Sequence, residues 1–317
     1  MPDRMPDFYI IGAPKCGTTS LYDWLGTHPS VCAPHKETCF FSQDIFPTRH
    51  LPTHIPSLEA YCRIFEFSGD QKISGEATPK YLYSDQALSE IARLRLDAKI
   101  IVCLRDPVDL AISLHSQKLK EGVEAEQNFE KAWRRGLFTD GQAIQNQHKS
   151  NLEINYYFWS CIGTRLKRLH DLFPSKSVMI ILLNELKDDP RGTYLKGLRF
   201  LELEDDGRTR FEAQNPRVRI RYMKVHQALL RIKRKMEPVI FPVRKIFGVQ
   251  GFGILRLASR FNTEPGQYSS AVTQSLREEM YRLLTSEIFL AERFLQGRFL
   301  VQPEVRNLLE KDQDIAS

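Results

Sequence analysis

The chain has 317 residues, 42% of them hydrophobic and 26% charged, with a net charge of +6. That length holds one large domain or a domain with a cap, and the composition excludes disordered and collagen-like classes. The modest basic excess suits anionic ligands or surfaces without demanding nucleic acid, and no RNA-binding or zinc-finger pattern is present. The six cysteines form no C-x-x-C pair and several lie in apolar runs, so they read as reduced thiols rather than a disulfide framework or zinc site.

In chain order, Phe8–Ile11 is a short apolar run that predicts a buried strand, followed by a turn from Gly12 to Gly17 and a helix over Thr18–Leu25. Pro29 ends that helix, and a short extended piece leads to Lys36 and Glu37. Residues 42–57 read as loop, Leu58–Phe67 as a helix, Lys72–Glu76 as a short strand and Tyr81–Arg95 as mostly helical. Lys99–Leu104 is a continuous apolar run, as expected of a central parallel strand covered on both faces. Pro107 suits the first position of the next helix, with Asp106 as its cap. Further on, a helix is expected near Phe129–Gly136, a long one over Leu152–Phe173, a buried strand at Val178–Leu183, and a helix over about Arg191–Leu201. This alternation predicts an α/β fold with a parallel sheet. Residues 206–317 read as a mostly helical cap on a core of about 7–205 within a single domain, with a last strong helical pattern over Ser270–Leu295.

A strand, a glycine-containing turn and a helix N-terminus make an anion cradle, because backbone N–H groups and the helix dipole converge there. Gly12 and Gly17 have the spacing of a nucleotide-triphosphate loop, but Thr18 stands where that loop needs lysine, and the lysine sits earlier in the turn as Lys15. A lysine there suits a different phosphoanhydride, one needing no metal. The second candidate anion site is Arg105, at the carboxyl end of its strand, with Ser113 about two turns into the following helix. Ligands of open α/β sheets bind at such strand ends, so one ligand could span both sites if the two strands are neighbours.

Gly12-Ala13-Pro14-Lys15-Cys16-Gly17-Thr18-Thr19-Ser20 resembles the 5′-phosphosulfate loop of the sulfotransferase family, and Arg105 through Ser113 resembles its 3′-phosphate motif. Lys36-Glu37-Thr38-Cys39-Phe40-Phe41 is similar to a segment of the heparan-sulfate-type branch, as is Gly75 through Tyr81. Phe261-Asn262-Thr263 and the stretch around Leu276-Arg277 resemble the C-terminal part of bacterial members. The resemblance implies a P-loop-like three-layer α/β/α fold that binds 3′-phosphoadenosine 5′-phosphosulfate (PAPS) and transfers its sulfuryl group to a hydroxyl or amine of a carbohydrate, glycolipid or small-molecule acceptor. It implies Glu37 as general base and Lys15 on the bridging oxygen. Cofactor contacts are implied for Lys15, Cys16, Gly17, Thr18, Thr19, Ser20, Arg105 and Ser113. No metal is implied. The competing reading of Glu37 is a surface ion pair with Lys36 or an arginine.

Two departures bear on the acceptor and on closure over the cofactor. Ala77 stands where that branch often has a second lysine, for which Lys80 is the nearest substitute. The branch's C-terminal Lys-Gly-Arg loop is absent, leaving Arg217, Arg219 or Arg221 as candidates. The basic stretch 217–245 has two readings. It is either an amphipathic element on an anionic membrane or a helix whose apolar residues pack on the core. Glu76 is open between a structural acid and a pocket residue, and His28, His35 and His115 read as structural or surface groups. With no signal-peptide pattern and no apolar run of spanning length, a cytoplasmic product is expected if the chain is the full product. The alternatives are a P-loop kinase or NTPase, and a non-catalytic nucleotide-binding protein.

Overall fold

The computed structural model describes residues 5–46, 54–67, 69–137, 152–212, 218–220, 222, 225, 226, 228, 229, 232, 263–265 and 272–316. For 218–220, 263–265 and 313–316 only the backbone path is described. The core is a five-stranded parallel sheet built from β1 (Phe8–Gly12), β2 (Val31–Cys32), β3 (Ile73–Ala77), β4 (Lys99–Leu104) and β5 (Val178–Leu182), in the order β2-β3-β1-β4-β5. β1 is buried along its whole length and β4 at every position after Lys99, which is why both read as unbroken apolar runs. Tyr9 lies opposite Glu76 on one side and Ile100 on the other, and Gly12 lies opposite Cys103.

The order decides where a ligand can sit. The chain leaves β1 toward β2 on one side and leaves β4 toward β5 on the other, so the connections diverge between β1 and β4. A crevice opens at such a switch point, beyond the carboxyl ends of the strands. The helices α1 (Thr18–Gly26) and α4 (Pro107–Glu121) begin there. α4 is capped as the sequence predicts: Pro107 is its first residue, and the Asp106 side chain accepts from the N–H groups of Val108 and Asp109 at 2.9 and 3.0 Å.

Among the described residues, the core also has the helices α2 (Leu58–Arg63), α3 (Asp85–Leu94), α5 (Phe129–Leu137), α6 (Tyr156–Ser160), α7 (Ile162–Leu172), α8 (Leu183–Asp188) and α9 (Pro190–Phe200). Some departures from the sequence reading have local causes. The long helix expected over Leu152–Phe173 is two helices, because Asn155 caps α6 through its side chain and Cys161 leaves helical geometry. The Ser160 hydroxyl donates to the Pro107 carbonyl at 2.9 Å, tying this break to the start of α4. The stretch expected to be helical from Tyr81 starts as a 3-10 turn, Pro79–Tyr83, before α3 begins under a Ser84 cap. α8 fills the stretch between the strand and the helix expected from about Arg191, where the sequence predicts no separate helix.

Beyond residue 206 the chain adds the antiparallel pair β6 (Val218–Ile220) and β7 (Thr263–Pro265), and the helices α10 (Gln274–Leu283), α11 (Thr285–Glu292) and α12 (Pro303–Ala316). The β pair falls in a region read as mostly helical. Leu276, Met280, Leu284 and Ile288 belong to the same buried cluster as the sheet.

Candidate active site

The turn after β1 is fixed by close backbone approach. Gly12 has φ +140°, and a Cβ there would lie 2.1 Å from the Cys103 carbonyl oxygen of β4. The next N–H, that of Ala13, donates to the same carbonyl at 3.2 Å. Lys15 and Gly17 are also left-handed, with φ of 67° and 87°. Gly17 is the N-cap of α1 and offers no side-chain acceptor to its first turn. α1 begins at Thr18, and helix geometry directs the N–H groups of a first turn toward the preceding loop. The Cys16 side chain is turned away: it is fully buried, its Sγ lies 3.6 Å from the Pro14 carbonyl, and burial pushes its thiol up to about 12. Cys16 can offer a ligand only its backbone.

Arg105, the first residue past β4, is 8% exposed. Its Nη1 donates to the Lys15 carbonyl at 3.4 Å and its Nη2 lies 3.3 Å from Asp109. Its Nε is buried with no hydrogen-bond partner among the described residues. The structure therefore brings the Gly12 turn and Arg105 together at the switch point. Ser113 is half-buried on α4, four residues beyond Asp109 and so on the same face.

Lys36 and Glu37 approach from the β3 side. Lys36 bridges to Ala77 as a one-residue extension of the sheet, and the Glu37 N–H donates to the Ala77 carbonyl at 2.8 Å. The Lys36 ammonium donates to the Thr19 hydroxyl of α1 and lies 3.5 Å from the Glu37 carboxylate. The ion pair posed as the competing reading of Glu37 is thus present, and its lysine reaches the anion turn. The sequence offers Lys36 only as an ion-pair partner of Glu37; its contact Thr19 lies 17 residues away and becomes adjacent only through the sheet. The Glu37 side chain is 54% exposed, and its backbone is left-handed with φ 57°.

Glu76 resolves as a structural acid. It is fully buried and accepts from the hydroxyls of Thr38, Tyr61, Thr78 and Tyr81. Burial raises its pKa and the four hydroxyls pull it back, with a net rise. This cage anchors the Lys36-Glu37 segment through Thr38. Lys80 is set over the Phe46 ring, 3.1 Å from the centroid, and burial lowers its pKa against the opposing charges of Cys39 and Glu153.

Arg217 and Arg221 lie outside the described residues, as do Phe261 and Asn262. Arg219 is on β6, where only the backbone is described. In the basic stretch, Tyr222, Val225 and Ile232 are exposed, whereas His226 is buried with Nε2 2.7 Å from the Lys120 carbonyl. Leu229 is partly buried, and Leu230 and Met236 lie outside the described residues. His28 and His115 serve structure, hydrogen-bonded to the carbonyls of Glu204 and Glu126; His35 is exposed.

Residues 5–233 match the sulfotransferase domain family, and the chain belongs to it. Among its relatives it resembles the heparan sulfate branch. Heparan sulfate glucosamine 3-O-sulfotransferase 3B1 of Homo sapiens is 33% identical over 206 residues, covering 63% of this chain and 47% of that protein. Heparan sulfate glucosamine 3-O-sulfotransferase 6 of Mus musculus is 31% identical over the same length, 63% of this chain and 53% of that one. The chain spans about half the length of these curated relatives. The crystal structure of a sulfotransferase from Alicyclobacillus acidocaldarius, 24% identical, superposes over 80% of this chain and 99% of its own with a TM-score of 0.58, and shares the P-loop-like three-layer α/β/α fold. Among the described residues, no helix is long and apolar enough to cross a membrane.

Proposed function

We propose that this chain is a sulfotransferase that moves the sulfuryl group of PAPS to a hydroxyl or amine of a carbohydrate, glycolipid or small-molecule acceptor. The observation that carries the reading is the junction at the switch point, where the guanidinium of Arg105 touches the backbone of Lys15. One ligand with two anionic ends fits that junction: a 5′ phosphosulfate on the Gly12 turn and a 3′-phosphate on Arg105. A buried guanidinium with an unpaired Nε is costly without an anion to receive it. The donor supplies an activated sulfuryl group on a phosphoanhydride. Lys15 and the α1 amides hold its 5′ end and stabilise charge on the departing phosphate oxygen, while Arg105 and Ser113 hold the 3′ end. Glu37 takes the proton of the acceptor, a role in which a positioned base contributes about 10²–10⁴-fold. Lys36 joins base and cradle, because it touches both Glu37 and Thr19. The glycan-acting relatives and the shared Lys36-Glu37 segment favour a sugar acceptor.

Isothermal titration calorimetry tests the reading. Adenosine 3′,5′-bisphosphate is expected to bind tightly in magnesium-free buffer, with ATP plus Mg²⁺ much weaker. The reverse preference returns the chain to the kinase or NTPase reading, which Thr18 in the lysine position disfavours.

A further inference from the structure

An anion site should not be ringed with carboxylates, yet Arg105 is followed by Asp106 and, one helical turn on, Asp109. Both acids are gripped from α10, outside the segment that matches the family. The Tyr281 hydroxyl donates to Asp106 at 2.7 Å. The Arg277 Nη2 donates to Asp109 at 2.9 Å and to the Tyr281 hydroxyl at 3.3 Å. Arg277 and Tyr281 are four residues apart, so one face of α10 meets both carboxylates. Asp109 consequently lies between two guanidiniums, with the Arg277 contact at 2.9 Å shorter than the Arg105 contact at 3.3 Å. Burial would raise the Asp109 pKa, but its two arginines outweigh that and hold it below the ordinary carboxylate value, so it is charged at neutral pH.

We infer that Arg277 is a positioning residue that occupies Asp109 and thereby keeps Arg105 available to the 3′-phosphate. Without Arg277, the full charge of Asp109 falls on Arg105, and the incoming phosphate must compete with a carboxylate already in place. Arg277 acts through Asp109 and need not touch the ligand. The inference rests on Arg105 being the 3′-phosphate site.

The test is calorimetry on the full chain with adenosine 3′,5′-bisphosphate and with AMP, which lacks the 3′-phosphate; the ratio of affinities is the readout. Arg105→Ala controls the underlying assignment: an unchanged ratio there removes Arg105 from the site, whatever Arg277 does. With that control lowering the ratio, Arg277→Ala is expected to lower it about tenfold, a typical size for coupling between contacting groups. The double variant Asp109→Asn with Arg277→Ala should restore most of the ratio, because the competing charge is gone. Arg277→Lys, which keeps a cation beside Asp109, should stay within about threefold of wild type. A ratio unchanged in Arg277→Ala overturns the inference. So does a double variant as poor as the single one, since a packing defect at α10 would not be mended by neutralising Asp109. If Arg277→Ala does not fold, Arg277→Lys and the Asp109→Asn single variant carry the test. A ratio lowered as severely by Lys as by Arg105→Ala, or a ratio lowered by Asn, overturns it as well.

Discussion

Lys15 and Glu37 are proposed for opposite ends of one transfer, and their loss should be separable. Glu37 is half-exposed and reaches the donor cradle only through Lys36, whose contact to Thr19 does not need the Glu37 charge, so Glu37→Gln changes little there. It should bind adenosine 3′,5′-bisphosphate about as wild type yet lose roughly 10²–10⁴-fold in kcat. Lys15→Ala should lose turnover and also bind the nucleotide more weakly, because a charged contact to the 5′ end is removed; a charged hydrogen bond contributes roughly 1.5–3 kcal/mol. Calorimetry paired with transfer of labelled sulfuryl to an acceptor separates the two, and full kcat in Glu37→Gln would strike out the base. Lys15 and Arg105 were visible in the sequence because each is announced by its immediate neighbours: two glycines around one, a strand end and a capped proline helix around the other. The stretch around Arg277 carries a resemblance, but nothing beside it in the sequence points to Asp109. Arg277 lies 168 residues from Asp109 and meets it only after α10 docks on α4.

At the scale of elements, strands with one environment along their length were legible and helices shaped by tertiary contacts were not. Lys99–Leu104 is buried on both faces and its bounds follow from its apolar run. The break at Cys161 carries no proline, and Gly163 just beyond it lies inside the next helix; the break is set by the Asn155 cap and by the Ser160 bond to α4. Glu76 shows the same limit on β3, since the hydroxyls around it come from separate segments. Its raised pKa gives a testable pH dependence. The folded protein holds this proton more tightly than the unfolded chain. The resulting stability is therefore fully present below the unfolded pKa and is lost as pH rises through the folded value. Glu76→Gln has no such proton, so wild type should lose stability relative to it as the pH is raised above the ordinary carboxylate range in urea unfolding. A difference that is flat or opposite in slope would contradict the assignment. Glu76→Ala should cost about 2 kcal/mol or more at acid pH, because the buried Tyr61 and Thr78 hydroxyls lose their acceptor, whereas Thr38 and Tyr81 keep each other.

For the molecule as a whole, the decisive fact is that the last helices complete what the first half begins. Sequence reading makes residues 206–317 a cap within a single domain, not an independent one; in the structure α11 packs against α7 so closely that a side chain is excluded between them. A Cβ on Gly163 would lie 2.3 Å from the Glu287 carbonyl oxygen and 2.9 Å from the Leu290 side chain. The Glu287 carboxylate in turn accepts the Thr164 N–H at 2.8 Å. Since α11 follows α10 directly, any displacement of α11 also pulls on Arg277 and Tyr281, and hence on the two carboxylates beside Arg105. Gly163→Ala should therefore destabilise by about 1–3 kcal/mol, the usual cost of overpacking. It should also weaken nucleotide binding, although it lies outside the site. Unfolding followed by tryptophan fluorescence and by far-ultraviolet circular dichroism is expected to give one coincident transition in wild type and variant alike. Two separated transitions, with nucleotide affinity unchanged in the variant, would show that the C-terminal helices are an appendage and not part of the cooperative core.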